Sequence, residues 1–156
     1  MIKKNLILIL IIIVSGCGFK PMLKNFDMNQ FSFKEINISG KSELTYLFQN
    51  SLKIPISKNN TGYTINLNIT ESTAVSQKND AGIVIEEDLI HTVNMEVFNE
   101  NSQLLWKDIF SSSVRMIVNN NESSNFEKKR IERNKLINIV SNKTKFKLIM
   151  VLSNSK

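Results

Sequence analysis

Tyr63-Thr64-Ile65-Asn66-Leu67-Asn68-Ile69-Thr70 alternates an apolar with a polar residue at every step. Successive side chains of an extended chain point to opposite faces, so this stretch predicts a strand with one buried and one wet face. Downstream, Ser76-Gln77-Lys78-Asn79-Asp80 is polar without period and reads as a hairpin loop. Ile83, Ile85, Leu89, Val93, Met95 and Val97 then share one parity, Asn99-Glu100-Asn101-Ser102 supplies a turn, and Leu104, Trp106, Phe110, Val114 and Met116 share a parity again. These two long runs predict the arms of one antiparallel hairpin, each longer than the usual strand of about five or six residues. Glu87 and His91 interrupt the apolar parity of the first arm, which predicts that the outer half of the hairpin leaves the core.

Upstream, Phe31 and Phe33 are followed by Ile36 and Ile38, an alternation that slips by one position at Lys34-Glu35. A strand over 31–38 with a bulge at the slip accounts for it. Ser42 is a good N-cap, Glu43 suits a first turn, and Leu44, Leu47, Phe48 and Leu52 fall at helical spacing before Ile54-Pro55; together they predict a helix over about 43–53. After the Asn119-Asn120-Asn121 loop, Ser124-Asn125-Phe126-Glu127 fits a capping box, and Ile137, Val140, Leu148 and Val151 carry a long helix to about 151. Lys128, Lys129, Arg130, Arg133 and Lys135 crowd its first half and read as a solvated face. The order β-α-β-β-β-α predicts an α+β two-layer sandwich: a four-stranded, mostly antiparallel sheet with two helices, in a single domain over 31–152.

The chain begins with Lys3 and Lys4, an unbroken apolar run from Leu6 to Val14, and then Ser15-Gly16-Cys17, the layout of a cleaved signal peptide over residues 1–16. Nine helical residues span only about 14 Å, short of the ~30 Å hydrocarbon core, so the run is not a spanning helix. Val14-Ser15-Gly16-Cys17 resembles the lipobox of bacterial lipoproteins, in which the cysteine thiol accepts the lipid. That resemblance implies covalent diacylglycerol and an N-acyl chain on Cys17, and a lipidated tether over 17–30. Several acyl chains, at about 0.8 kcal/mol per buried methylene, exceed what stable membrane anchoring needs. Gly18 stands where an aspartate would favour retention in the inner membrane, so the expected location is the outer membrane, lipid-anchored on the periplasmic side.

Removing residues 1–16 from the 156 leaves roughly 140, enough for one domain with a real core. Losing Lys3 and Lys4 takes the formal charge from +6 to about +4. That excess reflects either an anionic partner or the Lys-, Asn- and Ile-rich composition of an AT-rich coding sequence, and a secreted lipoprotein meets no nucleic acid. Cys17 is the only cysteine, which excludes a disulfide scaffold or a thiolate metal site within one copy. His91 is the only histidine, with Glu86, Glu87 and Asp88 nearby. No nucleophile-elbow or metal-ligand spacing accompanies it, so the expected function is not enzymatic, with no catalytic residue, no metal and no other cofactor.

Cys17-Gly18-Phe19-Lys20-Pro21-Met22-Leu23, followed by this order of elements, resembles the LPS-assembly lipoprotein family (LptE), whose members open on Cys-Gly-Phe or Cys-Gly-Trp. The resemblance implies a plug and assembly subunit seated in the β-barrel translocon for lipopolysaccharide (LPS), helping the barrel fold and delivering LPS to the cell surface. Its expected partners are that barrel and LPS itself. It also implies an LPS contact at Lys78, in the loop between the second and third strands, where an ammonium meets lipid A phosphates as a point charge. A second basic position before the last helix is not matched: Asn119–Asn121 stand there, and the nearest cation is Arg115. The alternative is a stand-alone periplasmic lipid- or glycolipid-binding lipoprotein, which needs no barrel.

Overall fold

A computed structural model describes residues 28–57 and 61–154; the expected signal peptide, Cys17 and most of the expected tether lie outside them. Met28–Gln30 form a single 3-10 turn whose Met28 packs on the core. The elements are β1 (Phe33–Gly40), α1 (Ser42–Leu52), β2 (Tyr63–Lys78), β3 (Val84–Phe98), β4 (Leu104–Ile117) and α2 (Glu122–Asn154). The sheet order is β1-β2-β3-β4, with β1 parallel to β2 and the other pairs antiparallel. This is the expected α+β sandwich.

Both helices cover the same face of the sheet. Ile65, Leu67 and Ile69 of β2, Val93, Met95 and Val97 of β3 and Phe110 of β4 meet Leu44, Phe48 and Leu52 of α1 and Ile137, Val140, Leu148 and Leu152 of α2 in one buried cluster. A smaller one, Leu89, Met116 and Leu136, continues it toward the β2–β3 turn. The slip at Lys34-Glu35 is a bulge: Phe33 pairs with Tyr63 but Glu35 with Thr64. An extra residue there puts Phe33, Ile36 and Ile38 on the covered face although their spacing is uneven.

Four local readings are corrected. The second strand does not stop near Ile69; β2 runs to Lys78, and the hairpin turn is the tighter Asn79–Gly82. The outer half of the hairpin does not leave the core at His91, which is 0% exposed beneath α2. The long helix is capped by Asn121, whose Oδ1 accepts from the Ser124 N–H at 3.1 Å, so Ser124 lies inside the first turn rather than at the cap. Ser42 likewise opens α1 as its first helical residue, behind Lys41, which makes no side-chain cap.

The two hairpin turns share one construction. Asn79 Oδ1 accepts the N–H groups of Ala81 and Ile83 at 3.1 and 2.9 Å, and Gly82 takes φ +78°. Asn99 Oδ1 accepts those of Asn101 and Gln103 at 3.0 and 2.9 Å, and Ser102 takes φ +61°. Three-residue hairpin loops place a left-handed residue at this point, a conformation that costs a side-chain-bearing residue about 1–2 kcal/mol. At Gly40 the need for glycine is steric, since a Cβ would lie 2.2 Å from the Ile69 carbonyl oxygen.

Ser102→Gly should therefore stabilise the domain by about 0.5–1 kcal/mol, after the greater freedom of an unfolded glycine is subtracted. Gly40→Ala should destabilise it by more than about 2 kcal/mol. Urea unfolding followed by circular dichroism checks both; the reverse order of stabilities would contradict this account of the two positions.

Candidate functional site

The lipobox residues Val14, Ser15, Gly16 and Cys17 lie outside the described residues. Lys78 is the last residue of β2, opposite Val84, and its side chain is exposed beside the Asn79–Gly82 turn rather than within it. The carboxylates around His91 separate. Glu86 and Asp88 have the opposite parity to His91 and face Arg115 Nε at 3.6 and 3.2 Å on the bare side of the sheet. Among the described residues no group of three His, Cys, Asp or Glu side chains could hold a metal ion, and no helix is long and apolar enough to cross a membrane.

His91 belongs to a different cluster. Its Nε2 lies 3.0 Å from Glu71 Oε2. Arg133 grips the same carboxylate in bidentate fashion, Nε to Oε2 at 2.6 Å and Nη2 to Oε1 at 2.8 Å, while its Nη1 donates to Glu43 Oε1 at 3.0 Å. The four side chains come from β2, β3, α2 and α1, so one network ties the sheet to both helices. Glu71 follows directly on the Ile65-Leu67-Ile69 parity and therefore points under the helices, where a lone carboxylate would be costly. Arg133, expected as part of a solvated face, offsets that cost with charge-assisted hydrogen bonds.

The electrostatics follow from this geometry. Arg133's hydrogen bonds, with help from His91 and against the opposing effect of burial, hold the Glu71 carboxyl down at about 2 from an ordinary 4.5. Burial pushes the His91 pKa below 6.5, against the attraction of Glu71, and Glu71 in turn raises that of Arg133. Nε2–H donation to Glu71 leaves Nδ1 as the bare acceptor, which is buried without a hydrogen-bond partner among the described residues. An orphaned lone pair is a smaller penalty than an orphaned charge, so the neutral ring is the form that fits.

Among the described residues no helix covers the opposite face of the sheet. Asn37 Nδ2 donates to Asn66 Oδ1 at 3.0 Å, Asn68 Nδ2 to Ser39 Oγ at 2.9 Å, and Lys107 Nζ to Glu96 Oε1 at 2.7 Å. Asn68 stands opposite Asn94, and Asn66 opposite Glu96. Asn37, Ser39, Asn66, Asn68, Asn94 and Glu96 floor a shallow depression of about 380 Å³. Such a surface offers amide and hydroxyl groups to a polar neighbour or to water, beside the exposed Ile109 on the same face. A second, more apolar cleft of about 390 Å³ lies between β4 and the end of α2, lined by Leu105, Trp106, Met150, Val151, Asn154 and Lys147. The Lys147 ammonium is 5.7 Å from the Trp106 ring centre and pairs with Asp108.

No protein-family model and no curated protein matches the chain. Solved structures do share its fold. The chain is similar to rare lipoprotein B from Shewanella oneidensis (13% identity, 77% of this chain and 97% of that one, TM-score 0.61). It is also similar to a minor lipoprotein from Acinetobacter baumannii (10% identity, 76% and 90%, TM-score 0.58). A lipoprotein B from Nitrosomonas europaea matches at 10% identity over 73% and 79%, with a TM-score of 0.57. At such identities the likeness is one of fold.

Folding lowers the pKa of both His91 and Glu71, so stability is complete above their unfolded values and falls with pH. The fall begins below about 6.5, where an unfolded histidine takes up a proton, and steepens between about 4.5 and 2 as Glu71 contributes about 3 kcal/mol less. Arg133→Met, which strands the Glu71 carboxylate, should cost about 2–4 kcal/mol at pH 7. It should also move the acid-unfolding midpoint to higher pH. Fluorescence-monitored acid titrations of both forms read this out; coincident curves would remove the cluster's role.

Proposed function

We propose that the chain is a lipoprotein of the outer membrane, anchored through Cys17 on the periplasmic side, and a plug and assembly subunit of the β-barrel that translocates LPS. The observation that carries this reading is the bare sheet face. Over β1, β2 and the middle of β3 it is lined by Asn37, Ser39, Asn66, Asn68, Thr70, Ser72, Thr92 and Asn94, all on the parity away from the helices, with Ile90 and, on β4, Ile109 and Ile117 at its border. A porin-type lumen is polar and wet, and a rigid domain presenting amides and hydroxyls can exchange hydrogen bonds with its wall. The Cys17–Leu23 opening and a fold shared with proteins named as lipoproteins support the same assignment.

In this arrangement acyl chains on Cys17 hold the N-terminus at the periplasmic leaflet. The first residue of β2 starts at the end of the sheet near Met28, and Lys78 closes the opposite end, so Lys78 is the cation carried farthest from the anchor along that strand. There its ammonium would meet lipid A phosphates on their way through the barrel. A stand-alone periplasmic lipid- or glycolipid-binding role is favoured instead by one feature, the cleft beside Trp106, where an apolar wall and the Lys147 ammonium adjoin.

Affinity purification of the tagged full-length chain from outer membranes should recover a large β-barrel in stoichiometric amount, and Cys17→Ser should abolish labelling by a palmitate analogue. Recovery of lipid without any barrel would favour the stand-alone role. An exposed ammonium–phosphate contact is worth about 0.5–1 kcal/mol. Lys78→Ala should therefore weaken LPS binding to the purified chain about two- to fivefold, and by less at high salt; unchanged affinity removes the contact.

A further inference from the structure

The sheet has two edges, and they are finished differently. On β4, the Ile109 N–H is taken by the carboxylate of Asp108 at 2.8 Å, and the Ser111 carbonyl accepts from Lys143 Nζ, reaching over from α2, at 2.8 Å. Side chains thus occupy the outward backbone groups in the middle of that edge, a common way of preventing another strand from adding. The other edge is shared. β1 covers β2 only from Tyr63 to Ile69 and then turns away at Gly40, while β2 continues, paired with β3 alone, to Lys78.

The direction of the free groups follows from the pairing. The Ile69 carbonyl faces Gly40 and so points into the lane of β1. Backbone groups of a strand alternate sides, which places those of Glu71, Thr73 and Val75 in the same lane. Among the described residues no hydrogen bond is made to these outward groups. Ser72, Thr73, Ala74 and Val75 are all exposed, and the segment carries no proline, no lysine and no bulge before Ser76. Where β1 departs, a cleft of about 220 Å³ opens in its lane, walled by Lys41, Glu43, Leu44, Ile69, Glu71 and Arg133. Its two cations and two carboxylates cancel, so the cleft suits an uncharged side chain.

We infer that the β2 edge from Thr70 to Val75 is a docking site for an uncharged extended segment of a different protein, which adds to the sheet as a strand in line with β1 and lodges its leading side chain in the cleft beside Gly40. Main-chain hydrogen bonds supply the affinity of such strand addition and the cleft supplies the selectivity. The inference needs a partner polypeptide but not an LPS barrel.

Benzoylphenylalanine is placed singly at Ser72 and at Ala74 of the full-length chain, crosslinked by light in intact cells, and the linked residues are mapped by mass spectrometry. Adducts with one other protein, at two positions two residues apart, are expected, because that spacing is the register of a paired strand. Thr73→Pro, which deletes an outward N–H and no ladder bond, should lower the yield about tenfold while Thr73→Ala leaves it intact. Absence of adducts, adducts with a second copy of this chain, linked positions without the two-residue register, or a Thr73→Pro form that crosslinks as before would each overturn the inference. If Thr73→Pro also lowers the melting temperature, the register of the two probes decides alone. A registered adduct with a protein other than an LPS barrel sustains the strand addition and counts against the translocon role.

Discussion

One face of a four-stranded sheet must be covered, and two helices of very different length do it. The short β1 and α1 close the half near Met28, where the apolar side chains are densest. Past Gly40 that pair is gone, and α2 alone continues over β3 and β4. The covered face continues there over the small cluster of Leu89, Met116 and Leu136, and on the β2 side Glu71, His91 and Arg133 take the place of further apolar side chains. A carboxylate held by a two-pronged guanidinium and a neutral imidazole is a directional joint. It fixes the rotation of α2 against the sheet at the point where hydrophobic contacts thin out to Leu89, Met116 and Leu136.

Much of this was legible in the sequence because period-two alternation survives wherever one face is buried and the other wet. The strand from Tyr63, both arms of the hairpin and the bulge at Lys34 could all be read in this way. The second half of β2 could not: Ser72, Thr73, Ala74, Ser76 and Gln77 are small or polar on both faces, so no alternation marks a strand, and pairing with β3 alone decides it. The start of α2 was misplaced for a related reason. Asn121, at the end of an asparagine run that reads as a loop, competes successfully with Ser124 for the cap.

The candidate site divides along the same line. The expectation at Cys17 rests on a local pattern that needs no partner. His91 sat in view, with Glu87, as an interruption of an apolar parity, whereas Glu71 did not stand out, and the meaning of the pair required Arg133, 62 positions beyond Glu71. A basic run along a helix shows nothing in sequence to distinguish the one guanidinium that turns inward. The polarity of the bare face over β1, β2 and the middle of β3 was readable residue by residue, whereas its alignment into one patch, bordered by Ile90 and by Ile109 and Ile117 of β4, emerges only from the register.

The long β2 and the long α2 have a joint consequence. Sixteen strand residues at about 3.3 Å and thirty-three helical residues at about 1.5 Å both measure close to 50 Å. The domain is a stave whose length is set twice, by two kinds of backbone with different pitch. Neither can be shortened without leaving the other overhanging, so evolution can alter this span only by matched insertions or deletions, roughly two helical residues for each strand residue. A group at Lys78 is thereby carried at a constant distance from the end of the domain that adjoins Met28.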